Sequence, residues 1–119
     1  MDNLEFAKKL EIRTKKFALQ IIRMSSDFPN TPEARVVRNQ VTKSGTSIGA
    51  NYREANRSRS KADFKNKIKI CESEASETVY WLELIAELDW FAKDTFQLIY
   101  IEAKEILAIF TSISNKLKT

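Results

Sequence analysis

Ser44-Gly45-Thr46-Ser47-Ile48-Gly49-Ala50-Asn51-Tyr52-Arg53-Glu54-Ala55 contains the only two glycines of the chain. No proline lies nearby, and the apolar residues on either side keep helical spacing, so both glycines fall inside a helix. A glycine in a helix interior costs about 1 kcal/mol relative to alanine. Two such costs in one helix need a return. The return available to a residue without a side chain is the close approach of a second helix. Gly45 and Gly49 are therefore expected to mark a tight helix–helix contact.

Outward from this stretch, turn signals are scarce. The two prolines, Pro29 and Pro32, bracket one loop. Before it, Phe6, Leu10, Phe17, Ile21, Met24 and Phe28 follow the three-and-four spacing of a helix face, which predicts helix 1 from about 3 to 27. After it, Thr31 is a good N-cap, Pro32 suits the first helical position and Glu33 favours the positive helix start, so helix 2 runs from there to about Asn56. Its inward stripe reads Val37, Val41, Ser44, Ile48, Asn51 and Ala55. Arg57-Ser58-Arg59 breaks the pattern, and Ser60 with Asp63 resembles a capping box. Helix 3 then carries Phe64, Ile68, Cys71, Ala75, Val79, Leu82 and Ala86 on one face. After a link near 89–92, Phe96, Ile99, Ala103, Ile106, Phe110, Ile113 and Leu117 mark helix 4 with the spacing of a bundle seam. Short connections favour antiparallel neighbours. The expected fold is all-α: one domain over 1–119, an antiparallel up-down-up-down four-helix bundle.

Composition narrows the chemistry. There is no histidine, which removes the commonest general base and metal ligand. A single cysteine, Cys71, leaves zinc and iron–sulfur sites close to excluded, and its place on the inward stripe reads as a small apolar residue. Glu72, Glu74, Glu77, Glu83 and Glu87 lack the Glu-x-x-His pattern of metal sites in bundles, and most of them read as solvated or ion-paired faces. No catalytic residue, metal or cofactor is expected. No apolar run reaches membrane-spanning length, and the acidic start Met1-Asp2-Asn3-Leu4-Glu5 lacks the layout of a signal peptide, which points to the cytoplasm and away from membranes.

Three further patterns bear on function. First, several helices carry apolar residues beyond one stripe: Ile12, Leu19 and Ile22; Ile70, Tyr80, Trp81, Leu84 and Leu88; Leu98, Tyr100, Ile101, Leu107 and Ile109. A wide core would absorb some of them, but a subunit interface is favoured for a chain of 119 residues. Second, Ser44, Ser47, Asn51 and Glu54 share a face of helix 2. A turn centred near Ser58-Arg59 sets Ser44 level with Glu74 and Glu54 level with Lys65 or Phe64. Hydrogen bonds from Ser44 or Ser47 to Glu74, and an ion pair from Glu54 to Lys61 or Lys65, are then within reach. A structural network fixing register is favoured over a ligand site. Third, Arg53, Arg57, Arg59, Lys61 and Lys65 cluster at the helix 2–helix 3 turn. An antiparallel bundle brings both termini to that end, so residues 1–14, 46–73 and 106–119 together hold 12 basic and 6 acidic side chains. Binding to a phosphate backbone and ordinary solubilising charge are equally good accounts of this gradient.

The glycine stretch, followed by Ser60-Lys61-Ala62-Asp63-Phe64 and Glu74-Ala75-Ser76-Glu77-Thr78-Val79-Tyr80-Trp81-Leu82-Glu83, resembles the bacterial four helix bundle protein family, also called 23S rRNA-intervening-sequence proteins. Phe28-Pro29 and Glu105-Ile106-Leu107-Ala108-Ile109-Phe110 fit as well, so the resemblance covers nearly the whole chain. It implies an up-down bundle assembled as a ring-like homopentamer, with no established enzymatic activity. Accessory proteins of diversity-generating retroelements look similar and bind a reverse transcriptase and nucleic acid. The resemblance therefore implies a nucleic-acid-associated scaffold. The alternative is a protein-interaction scaffold or accessory subunit that binds no nucleic acid.

Overall fold

The computed structural model describes residues 2–118 and contains four helices: α1 (Asn3–Ser25), α2 (Pro32–Ala55), α3 (Lys61–Glu87) and α4 (Lys93–Lys116). Among the described residues there is no strand. Each helix starts where local chemistry favours it. Asp2 accepts from the Glu5 backbone N–H at 2.7 Å, Thr31 from that of Ala34 at 3.1 Å, and Ser60 from that of Asp63 at 3.0 Å. Each cap satisfies one of the amides that a helix start leaves without a partner. Ala92, before α4, has no side chain that can do this. At the α3–α4 link Asp89 adopts φ 54°, a left-handed conformation that aspartate tolerates better than most residues.

α2 packs on both α1 and α3; α4 packs on α3 and, more lightly, along α1. The largest fully buried side chains are Phe17, Phe110, Ile21, Ile48, Ile68, Leu82, Ile85 and Ile106, drawn from all four helices. The rings of Tyr52 and Phe110 meet edge-on across the core, with centroids 5.3 Å apart. At one end, Phe28 meets Trp90 and Phe91 edge-on at 5.5 and 5.2 Å, which closes the space between the first and third loops.

The inward stripes differ from the expected ones in particular residues. Phe6 is exposed, and the α1 stripe fills its central gap with the buried hydroxyl residue Thr14. Ala86 is exposed while Thr78 and Ile85 are buried. On α2, Val37 and Asn51 are half-buried while Ala34, Gly45 and Tyr52 are buried. The reason is that α2 touches two helices, so it buries a broad face where a narrow seam was expected. Near the end of α4, Ser114 is buried and Ile113 and Leu117 are half-buried.

The surplus apolar residues divide. Trp81, Tyr100, Leu107 and Ile109 are half-buried and pack against the core, as a wide core requires. Ile12 and Leu98 stay 68% and 71% exposed, and Leu19, Ile22, Ile70, Tyr80, Leu88 and Ile101 are exposed too. Cys71 is fully buried, its Sγ 3.6 Å from the Ile48 carbonyl oxygen, and burial pushes the thiol up to about 12. A thiol so held is not a nucleophile at neutral pH. Among the described residues no helix is long and apolar enough to cross a membrane.

Candidate functional site

The glycines face α1. An added Cβ on Gly45 would lie 3.0 and 3.1 Å from the two Cγ atoms of Ile21. One on Gly49 would lie 3.0 Å from Thr14 Oγ1 and 3.3 Å from the Thr14 carbonyl carbon. Ile21 and Thr14 are both buried, and Thr14 Oγ1 donates to the Leu10 carbonyl at 2.9 Å. Backbone therefore approaches a packed, hydrogen-bonded surface where any side chain would intrude.

The polar face of α2 is more graded than its spacing suggests. Ser44 is fully buried, Ser47 and Asn51 are half-buried, and Glu54 is exposed. At about 100° per residue, Asn51 returns almost to the azimuth of Ser44, whereas Ser47 and Glu54 lean well to one side. The partners also differ from the expected ones. Thr78 Oγ1 lies 3.0 Å from Ser44 Oγ and 2.7 Å from the Glu74 carbonyl oxygen. Ser47 donates to the Lys43 carbonyl at 2.6 Å, and Asn51 Nδ2 to the Ser47 carbonyl at 2.8 Å. The Glu74 carboxylate takes no hydrogen bond from Ser44 or Ser47. It stays half-buried, and burial, then the Glu77 charge, raise its pKa above the usual carboxylate range. Among the described residues Glu54 forms no ion pair with Lys61 or Lys65; its exposed position leaves it in solvent. The side-chain polar contacts between α2 and α3 among the described residues are thus the buried Ser44–Thr78 hydroxyl pair and the Cys71 thiol on the Ile48 carbonyl, not a carboxylate network.

A longer-range polar link ties α1 to α4. Arg13 donates to both carboxylate oxygens of Glu102 at 2.7 and 2.6 Å and to Glu105 at 3.2 Å. The Glu102 hydrogen bond is the main cause that raises the guanidinium pKa further. Bidentate pairing fixes geometry as well as charge. Nothing in the sequence spacing singled out Arg13, because its partner lies 89 residues away.

The basic end is built by the α2–α3 turn. Arg57 and Ser58 backbone N–H groups close the end of α2 on Glu54 and Ala55 carbonyls, and Ser60 restarts the chain as α3. Arg53 turns toward α1: its Nε lies 3.8 Å from Glu11 Oε1, while Glu11 Oε2 accepts from Asn56 Nδ2 at 2.9 Å. Arg57 is exposed at the turn. Arg59, Lys61 and Lys65 line a concavity of about 700 Å³, and Lys116 enters it from the end of α4. Among the described residues no carboxylate lines it. Among the described residues none of these four cations, nor Arg57, forms an ion pair. Of the five basic residues named from sequence, three share the concavity, one is paired elsewhere and one stands beside it. Lys116, one of the terminal lysines that the expected antiparallel order sets at this end, joins the group from the last turn of α4. Among the described residues no group of three or more carboxylate, thiol or imidazole side chains is placed to hold a metal ion.

Four packed helices, a glycine-lined helix contact and a cation-lined end define a small all-α protein. The chain belongs to the 23S rRNA-intervening sequence protein family, whose model matches residues 8–112. It is similar to the crystal structure of a protein of unknown function from the S23 ribosomal protein family of Bacteroides thetaiotaomicron VPI-5482. Identity is 37% and the TM-score 0.80, over 92% of this chain and 98% of that one. No curated protein sequence matches.

Proposed function

We propose that this chain is a single non-enzymatic domain spanning 1–119, an antiparallel up-down-up-down bundle that assembles into a homo-oligomeric ring, most simply a pentamer. Its basic end binds the phosphate backbone of RNA or DNA in the cytoplasm. The observation that carries the nucleic-acid reading is the concavity lined by Arg59, Lys61, Lys65 and Lys116, with no carboxylate among the described residues that line it. Four cations that form no ion pair among the described residues repel one another, and an anionic partner relieves that repulsion. The family's name, which refers to ribosomal RNA, is in keeping with it.

The contacts support the helix directions. Ile21 meets Gly45 while Thr14 meets Gly49, so α1 numbers fall as α2 numbers rise. Cys71 meets Ile48 while Thr78 meets Ser44, with the same inversion between α2 and α3. The exposed Ile12, Leu19, Ile22, Leu98 and Ile101 support assembly, since a lone small protein gains nothing from leaving such residues in water. Light scattering on the purified protein is expected to give about five times the chain mass of 13.8 kDa; a species of 13.8 kDa at micromolar concentration rules the ring out.

The test of binding is a titration with RNA and DNA over a range of salt. Affinity is expected to fall steeply and linearly on logarithmic axes, because each neutralised phosphate releases a counterion. Little sequence preference is expected. If no nucleic acid binds at about 50 mM salt, where even weak phosphate contacts register, the second reading takes over. That reading is a protein scaffold or accessory subunit, with a reverse transcriptase as one candidate partner, and the exposed apolar residues favour it.

A further inference from the structure

We infer that the basic concavity seats an unpaired nucleotide, with its phosphate among Arg59, Lys61, Lys65 and Lys116 and its base against the ring of Phe64. The inference rests on the nucleic-acid reading and narrows it to single strands, RNA or DNA. Phe64 has two sides. It is half-buried and packs on the core, and it also lines the concavity among the four cations. It sits in the first turn of α3, where its N–H donates to the Ser60 carbonyl at 3.0 Å, so the ring is carried on a fixed element. A volume of about 700 Å³ falls within the usual range for small-molecule sites, roughly 300–1,000 Å³.

The chemistry selects the strand. A cationic groove alone holds any backbone, duplex or single. An aromatic ring beside it adds something a duplex cannot use, because paired bases keep their faces stacked on one another. An unpaired base can turn its face to the ring. Such stacking is tolerant of sequence, since every base has a π-face. Pairing Phe64 with four cations therefore fits a strand that is read by backbone and stacking, with no hydrogen-bond code.

The experiment compares DNA probes of equal length by fluorescence anisotropy at about 50 mM salt, a condition that retains weak phosphate contacts. They are single-stranded oligothymidylate, an abasic strand carrying the same phosphates, and a duplex; oligouridylate and oligodeoxyuridylate are run alongside. Oligothymidylate is expected to bind about tenfold more tightly than the abasic strand, the gain that one stacked base supplies. Comparison of oligouridylate with oligodeoxyuridylate, which carry the same base, identifies the sugar the site takes. Phe64→Leu, which keeps an apolar side chain on the core, is expected to erase that tenfold difference and leave duplex and abasic binding unchanged. Equal binding of base-bearing and abasic strands by the wild-type protein overturns the inference while the backbone-binding reading stands. Failure of every probe to bind removes both. Should Phe64→Leu not fold, the wild-type comparison of the first two probes decides alone.

Discussion

Gly49→Leu is expected to lower the melting temperature by about 4–8 °C, or to prevent folding. A single Cβ at this position would already lie 3.0 Å from Thr14 Oγ1 and 3.2 Å from Thr14 Cβ. Neither can yield cheaply, because Thr14 is buried and bonded to the Leu10 carbonyl, and its own backbone carbon lies 3.3 Å from the same point. Three further heavy atoms have to force α1 and α2 apart. Overpacking a tight interior costs about 1–3 kcal/mol and sometimes more. For a chain of this size each kcal/mol lowers the midpoint by about 4 °C or more. Leucine's better helix propensity returns at most about 1 kcal/mol. Gly49→Ala is the graded control: one methyl against Thr14, opposed by the same propensity gain, leaves stability within about 1 kcal/mol of wild type. Gly45→Leu should behave like Gly49→Leu, because the Ile21 Cγ atoms it meets are fully buried. Thermal melts followed by circular dichroism check all three variants. A Gly49→Leu protein that melts within a degree of wild type would refute the close-approach account of the glycines.

The second large effect concerns binding. Arg59→Glu combined with Lys61→Glu is expected to weaken nucleic-acid binding on the order of a hundredfold at low salt and to reduce the salt slope by about 2. Each change removes one cation from the concavity and adds one like charge facing the phosphate. The protein itself should hardly notice. Both side chains are exposed and, among the described residues, neither forms an ion pair. Exposed charges of this kind contribute less than about 1 kcal/mol to folding. Arg53→Ala, by contrast, should weaken binding little, since Arg53 already faces Glu11 across 3.8 Å. Salt-dependent titrations of the double variant, with its melting temperature measured in parallel, separate loss of binding from loss of fold. Unchanged affinity in a folded double variant would show that the concavity does not hold the backbone.

The helices were legible because their signals are local. Thr31 with Pro32, and Ser60 with Asp63, act on amides within the next few residues, and the structure starts α2 and α3 directly after Thr31 and Ser60. The partner of Ser44 was not legible in the same way. Glu74 and Thr78 stand on one face of α3, one turn apart, and the choice between them depends on how α2 and α3 cross. A turn centred near Ser58-Arg59 favours Glu74, and that register nearly holds close to the turn, where Ile48 meets Cys71. At Ser44 it is the Thr78 hydroxyl, one turn beyond Glu74 on the same face, that comes within hydrogen-bond distance. Crossing angles are set by how whole ridges of side chains interlock, which no short stretch encodes.

The sequence by itself determined that the chain is all-helical, where its helices begin and end, and that Gly45 and Gly49 lie within one of them, because periodicity, capping and the cost of glycine act over a few residues. It also collected positive charge around the α2–α3 turn. Only the tertiary structure decided that α1 covers the glycines, that Thr78 rather than Glu74 meets Ser44, and that Arg53 turns to Glu11. It alone brought Lys116 and Phe64 into one concavity with Arg59, Lys61 and Lys65. These are contacts between residues far apart in the chain. They form only when buried surfaces are packed to near-crystalline density, and that condition falls on all four helices at once.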